Sequence, residues 1–475
     1  MSSTSIGSVY VTDKDDWDRG DKEFTLNESQ PSNAGFDVDS NGEIHMPAGQ
    51  AEGSYTLKVN VFDHVRNERA IGTVNIRVIR VDQEQFDKQG AVRFLMNINS
   101  NSGLRDESDF IRAPQGATGE TRLSIFKDLL SSKLNGAEIT ILSIKESYAD
   151  LQVGGVQVVD VRFFGRNSNG YLDPVYMNTI IALNQEEFER AIRATIVSAG
   201  IDMCKLTRCD NGCRTINLVD YAGVVVSANQ TIIVGVNATA KDDCSCPVYI
   251  PSKACQKNSC YNGGVCHNTY PGFFCECRND MLKGKRCQGT TRSFNGNGYA
   301  FFNPVPACTS LNISLSFMTQ QMDALLLYNG PVLNTDSNRG QTIYKDYIAI
   351  WLESGQVKAR LSFNDGVESS DLSVRGVFND GEWHEISLTQ IGKMIHLVID
   401  NCENLEGSPD SCMSVVKSLN DDERLNTNTA LQIGGIAPSA NGGYPEFVTN
   451  IGNYNGCIRN LRVNFDRYEF WEWEF

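Results

Sequence analysis

The sequence predicts a multidomain, mainly β chain with one α+β layer and one small disulfide-rich module. Three observations carry that reading. Six cysteines, Cys255, Cys260, Cys266, Cys275, Cys277 and Cys287, crowd into one short stretch. Alternating polar and apolar residues at 55–62 and 71–79, and short apolar runs at roughly ten-residue intervals after residue 288, are the pattern of β sandwiches. Between these regions, residues 122–134 space their apolar side chains three and four apart, as helices do, and 184–199 reads as a second helix capped by Asn184 with Glu187 three residues on.

The cysteine stretch also sets the compartment. A segment of this size cannot bury enough apolar surface to fold unaided, because below about 40 residues cross-links, metals or partners are usually required. Zinc would need paired C-x2-4-C or Cys/His ligands, and the only nearby histidine is His267. Disulfides are left, each contributing about 2–4 kcal/mol and persisting only where the surroundings are oxidising. Spacing alone leaves 15 connectivities open. The chain holds 15 cysteines in 475 residues, and the sequons at Asn27, Asn229, Asn237 and Asn312 agree with an extracellular life. An odd cysteine total means that one thiol is free or paired outside this chain. Residues 1–5 carry neither a basic n-region nor an apolar h-region, so the sequence reads as a fragment of a longer protein.

A formal net charge of −16 repels nucleic acid and anionic lipid, and suits divalent cations. Polar residues interrupt the uncharged run 221–240, and its alternation reads as two strands rather than a membrane span. The five histidines, at 45, 64, 267, 384 and 396, are scattered, and no HExxH, G-x-S-x-G or P-loop occurs. His384 and Glu385 are neighbours on an expected strand and point to opposite faces, which excludes a dyad between them. No enzyme is expected.

Several stretches resemble known extracellular families. Phe36-Asp37-Val38-Asp39-Ser40-Asn41-Gly42-Glu43-Ile44 and the alternating Tyr55 to Asp63 strand are similar to the cadherin repeat, and residues 9–18 resemble the acidic linker that joins successive repeats. The resemblance implies calcium as a cofactor, with Asp13, Asp15, Asp16 and Asp63 at family ligand positions. Calcium takes six to eight oxygens at about 2.3–2.6 Å, which an extended acidic segment can deliver. The stretch is read as a shortened cadherin-like β sandwich, with 1–12 as the end of a preceding repeat and 13–82 as the repeat itself. Nothing like the linker recurs after Val81, so the next junction is expected to be calcium-free.

Residues 83–250 read as β-α-β-β-α with a cysteine-rich edge, the order of a ferredoxin- or SEA-like α+β layer. In this position the domain resembles the membrane-adjacent, non-chordate-type domain of arthropod cadherins. Residues 251–288, with Gly263-Gly264 and Pro271-Gly272-Phe273, resemble an EGF-like module, which implies the pairs Cys255–Cys266, Cys260–Cys275 and Cys277–Cys287. No acidic lead precedes its first cysteine, so it reads as a structural spacer rather than a calcium site. Residues 289–475 carry Leu325-Leu326-Leu327-Tyr328-Asn329-Gly330, Asp380-Gly381-Glu382-Trp383-His384-Glu385 and Gly456-Cys457-Ile458-Arg459-Asn460-Leu461, and resemble a laminin G-like sandwich of jelly-roll type. Trp383 is expected as a core anchor, and a local Cys402–Cys412 bridge is expected.

Taken together, the order resembles the membrane-proximal ectodomain of an arthropod epithelial or neural cadherin. The resemblance implies calcium-dependent, homophilic adhesion to a cadherin on the opposing cell or the same membrane. It also implies catenins bound through a cytoplasmic tail that this sequence does not contain. The alternative is a matrix or receptor ectodomain whose laminin G-like domain takes a glycan or protein ligand.

Overall fold

The structure is a computed structural model. It describes residues 3–14, 20–27, 35–97, 103–112, 120–149, 156–168, 170–204, 209, 212–228, 230–246, 254–256, 259–269, 272–278, 282, 286–287, 289–332, 346–363, 368–402, 411–419, 423–439, 443–464 and 466–468. These fall into two compact units, the first built mainly from residues 1–174 and the second mainly from residues 240–475.

The first unit begins with a sandwich of two three-stranded sheets. Lys22–Leu26, Gly53–Asp63 and Glu68–Val78 form one sheet; Ser3–Ser8, Glu43–Pro47 and Asp37–Val38 form the other. Period-two alternation buries Leu57 and Val59 completely against Phe24, Phe36 and Ile44. The Ser40-Asn41-Gly42 turn works because Asp39 accepts from the N–H groups of Asn41 and Glu43, while Gly42, at φ +79°, lies where a Cβ would press on the Phe24 ring. One boundary is corrected. Ser3–Ser8 pairs antiparallel with Glu43–Pro47, and Ile6 and Val9 enter the same core, so these residues are the sandwich's own first strand and not the end of a preceding repeat.

The α+β layer follows. Its sheet runs Glu138–Ala149, Val156–Asn167, Gly90–Leu95, Ile196–Ala199, with the short Gly170–Tyr171 strand also beside Val156–Asn167. Numbered in chain order these four main strands lie 2-3-1-4, the ferredoxin-like arrangement. Helix Arg122–Lys133 starts at Thr121, whose side chain accepts from Ser124 N, and stops at Asn135 and Gly136, both at positive φ. The second helical segment differs from the expectation of one helix over 184–199. Two helices occur, Pro174–Leu183 and Gln185–Ile192, and Asn184 donates its side-chain N–H to Ile180 O at 2.8 Å, closing the first rather than capping the second. Arg193, at φ +57°, ends the second helix and frees Ile196–Ala199 to complete the sheet. Helix Pro174–Leu183 is apolar nearly all round, and from Val175 onward it belongs to the second unit: Tyr176 meets Phe301, and Thr179 Oγ1 accepts from Ala430 N at 3.2 Å. The run 221–240 contributes to two strands, Arg214–Ala228 and Thr231–Asp243, as its alternation indicated.

The second unit holds the EGF-like hairpin, Val265–Thr269 paired with Gly272–Glu276, and a two-sheet sandwich. One sheet of the sandwich has seven strands and the other six. Its strands include Ser310–Met318, Ala324–Asn329, Tyr347–Glu353, Gln356–Phe363, His384–Ile391 and Met394–Ile399, and the core between the sheets includes Phe317, Leu326, Ile350, Leu361, Leu388 and Tyr454, none of them exposed. Trp383 is not in that core. It is half-buried, with the Arg459 guanidinium 3.9 Å from its ring centroid.

In the α+β layer Phe126 is fully buried and touches the rings of Phe94, Phe110, Phe163 and Phe188. Phe126→Ala should destabilise the domain by about 3–5 kcal/mol, read by chemical denaturation. A loss below about 1 kcal/mol would mean that these rings do not form the core.

Candidate functional site

Two features of the described residues stand out chemically, a track of disulfides and a set of carboxylates held in unusual surroundings.

The cysteine-rich edge pairs Cys204 with Cys213 and Cys209 with Cys244. The EGF-like module pairs Cys255–Cys266, Cys260–Cys275 and Cys277–Cys287, the pairs that its resemblance implied, and Cys402–Cys412 is closed. Cys260, Cys266 and Cys275 lie close enough together to suggest a metal, but their sulfurs are already committed to one another and to Cys255. Gly264 is required in the module because a Cβ there would come within 2.7 Å of Cys287 Sγ. Asn268 Oδ1 accepts from Cys255 N at 2.7 Å, so that side chain serves the fold. The remaining bond, Cys246–Cys308, was not legible in the sequence. It joins the two flanks of the EGF-like module, 62 residues apart in the chain, with Cα atoms 5.6 Å apart. The module therefore hangs from a covalent clasp and is not an in-line spacer. Cys457 forms no disulfide within this chain, and its Sγ lies 3.4 Å from Ser293 Oγ.

Of the residues at family calcium positions, Asp13 and Asp63 come together, while Asp15 and Asp16 lie outside the described residues. What they meet is Lys22. Its Nζ lies 3.1 Å from Asp13 Oδ2, 2.6 Å from Asp21 Oδ1 and 3.1 Å from Asp63 Oδ2, and its side chain is only 5% exposed. Burial alone would lower the lysine pKa, but hydrogen bonds to Asp21, Asp13 and Asp63 outweigh it and hold the ammonium firmly charged. The Arg66 N–H, with Lys22 and the Val65 N–H, holds the Asp63 carboxyl below its usual range against its burial. These residues do not fit calcium, because a cation already sits where the three carboxylates converge.

In the α+β layer the opposite problem arises. Burial, a hydrogen bond to Glu146 and that group's like charge push the Glu107 carboxyl up to about 7, and Glu107 Oε2 is buried without a hydrogen-bond partner. The cleft of the C-terminal sandwich is lined by Ser316, Trp383, His384, Glu385, Asp400, Asn401 and Arg459. His384 does pair with carboxylates, though not with Glu385: Nδ1 is 2.8 Å from Asp400 Oδ2 and Nε2 is 3.1 Å from Asp380 Oδ1. Burial would lower its pKa, and these two acids raise it instead. Both ring nitrogens are engaged, so neither is available to take a proton from a substrate. Of the sequons, Asn229 lies outside the described residues, and Asn27 and Asn312 are half-buried. Asn237 is bound on both sides, its Oδ1 accepting from Lys145 Nζ and its Nδ2 donating to Asp220.

The Glu107 pair has a measurable consequence. Between 4.5, the ordinary glutamate value, and about 7 the folded chain keeps a proton that the unfolded chain has lost. Its contribution to stability is therefore present at low pH and disappears as pH rises through that window. Melting temperature should fall across the window, and Glu107→Gln should flatten the fall. Identical slopes for variant and wild type would exclude the pair as the cause.

A family model described as "DE-cadherin, Ig-like domain" matches residues 83–240, and one described as "Laminin G domain" matches 317–465. Despite the first description, residues 90–199 form the ferredoxin-like sheet and helices given above. The chain is 48% identical over 99% of its length to "Cadherin-related hmr-1" of Caenorhabditis elegans, of which it covers 16%. It is 32% identical over 98% of its length to "Neural-cadherin" of Drosophila melanogaster, of which it covers 15%. It thus spans about one-sixth of the length of these relatives. Among solved structures, the LG1-3 region of the laminin alpha2 chain matches at 22% identity with a TM-score of 0.30, covering 41% of this chain and 34% of that one. No described helix is long and apolar enough to cross a membrane. Along nearly its whole length the chain is similar to proteins named as cadherins, and within it a match to a DE-cadherin Ig-like domain is followed by a match to a laminin G domain.

Proposed function

We propose that this chain is the membrane-proximal extracellular segment of a calcium-dependent, homophilic cell–cell adhesion receptor, and that its own part is mechanical. The similarity along nearly the whole chain to proteins named as cadherins carries the reading. The disulfide track supports the mechanical part. Tension entering the C-terminal sandwich from the cysteine-rich edge crosses the Cys246–Cys308 bond, so the EGF-like module stays folded beside the path of force. Homophilic contact with a cadherin on the opposing cell or the same membrane, calcium binding and catenin engagement are assigned to other parts of the longer receptor, at the plasma membrane. The proposal includes no catalysis and no nucleic-acid partner.

Beads coated with this chain alone are expected not to cluster, with or without calcium, whereas beads carrying the whole ectodomain cluster in calcium and disperse in chelator. Clustering by the chain alone would overturn the division of labour. Retention of the chain on heparin or a glycan surface would favour the laminin G ligand reading instead. In single-molecule pulling, replacing Cys246 and Cys308 by serine should lengthen the fully extended chain by on the order of 100 Å, since the path must then run through the still cross-linked module. An unchanged length would show that the clasp does not bypass the module.

A further inference from the structure

We infer that the ammonium of Lys22 stands in for calcium at the Asp13, Asp21 and Asp63 cluster, so that the acidic end of the first sandwich is held together by a cation tethered to the chain. Three independent features carry this. The position is built into the sheet, because Lys22 and Asp63 are direct partners in the antiparallel register between Lys22–Leu26 and Gly53–Asp63. That pairing fixes the lysine stem on the inner side of the cluster. The ammonium is buried and reaches three carboxylates at once, which a solvated surface lysine does not do. The second oxygen of Asp63 is also taken, by the N–H groups of Val65 and Arg66 at 2.8 Å each.

The physical contrast with calcium is one of geometry and charge. A calcium ion sharing these carboxylates would need six or more oxygens at about 2.3–2.6 Å, and it would sit against a positive charge already bonded to the same atoms. Lys22 must leave before the ion can enter. A lysine offers three N–H directions, and three carboxylate oxygens receive them here. Among the described residues Asp21 Oδ2 is buried without a hydrogen-bond partner, so one ammonium does not satisfy the whole cluster, and the site depends strongly on keeping it. The family expectation of a metal at Asp13 and Asp63 is thus met by a different cation, and this end of the sandwich needs no calcium to be ordered.

Hydrogen exchange on the full chain tests the inference, read at the Val65 and Arg66 amides and compared between millimolar calcium and chelator. Wild type should exchange at the same rate in both. Lys22→Ala should exchange roughly tenfold faster at these amides in chelator, and Lys22→Arg, which keeps the charge, should stay close to wild type. Slower wild-type exchange in calcium would overturn the inference, and so would Lys22→Ala exchanging like wild type. The wild-type comparison decides the matter even if Lys22→Ala fails to fold. Either outcome is independent of bead clustering, which reads the longer receptor.

Discussion

Covalent closure of the chain on itself, above all by Cys246–Cys308, is the constraint on which the EGF-like module and its attachment depend. The EGF-like module cannot bury enough apolar surface to fold alone, and its three bridges stand in for that missing interior. The clasp then fixes where the module is attached. With both flanks tied together, the two ends of the module leave from one place. The laminin G-like sandwich needs no such help, because its two sheets enclose a continuous apolar core. Strength along the chain therefore alternates between cross-linked and core-stabilised modules, and each holds by a different mechanism.

Electrostatics supplies a second theme. A chain with net charge −16 must place carboxylates close together somewhere, and the two cases differ in what neutralises them. At the first sandwich a lysine is supplied by the strand facing Asp63. In the α+β layer the like charge of Glu146 adds to burial at Glu107, and a proton takes the neutralising part. The first arrangement holds across the physiological pH range, since the ammonium stays charged. The second titrates within it.

Much of this was legible in the sequence, for identifiable reasons. Alternation named the strands of both sandwiches, since a period of two puts Leu57 and Val59 on one face whatever lies around them. Three-and-four spacing over 122–134 marked the helix Arg122–Lys133 to within a residue, because an apolar stripe is a local pattern. What failed was non-local. Ser3–Ser8 shows no sign of which sheet it joins, and 184–199 reads as one helix although the chain breaks at Arg193 to finish the sheet. Trp383 sits in a family signature that looks like core, yet Arg459, distant in sequence, stacks on it at the surface. Lys22 was passed over for the same reason. Only the pairing with Asp63 shows that a basic residue lies among acids that otherwise suggest a metal.

The account stands most directly on the assignment of one bond, and peptide mapping of the protein under non-reducing conditions measures it. The fragment holding Cys246 should be recovered joined to the fragment holding Cys308, with the three EGF-like bridges intact between them. Recovery of Cys308 joined to Cys457, or of Cys246 as a free thiol, would put the EGF-like module back in line with the chain and contradict the account.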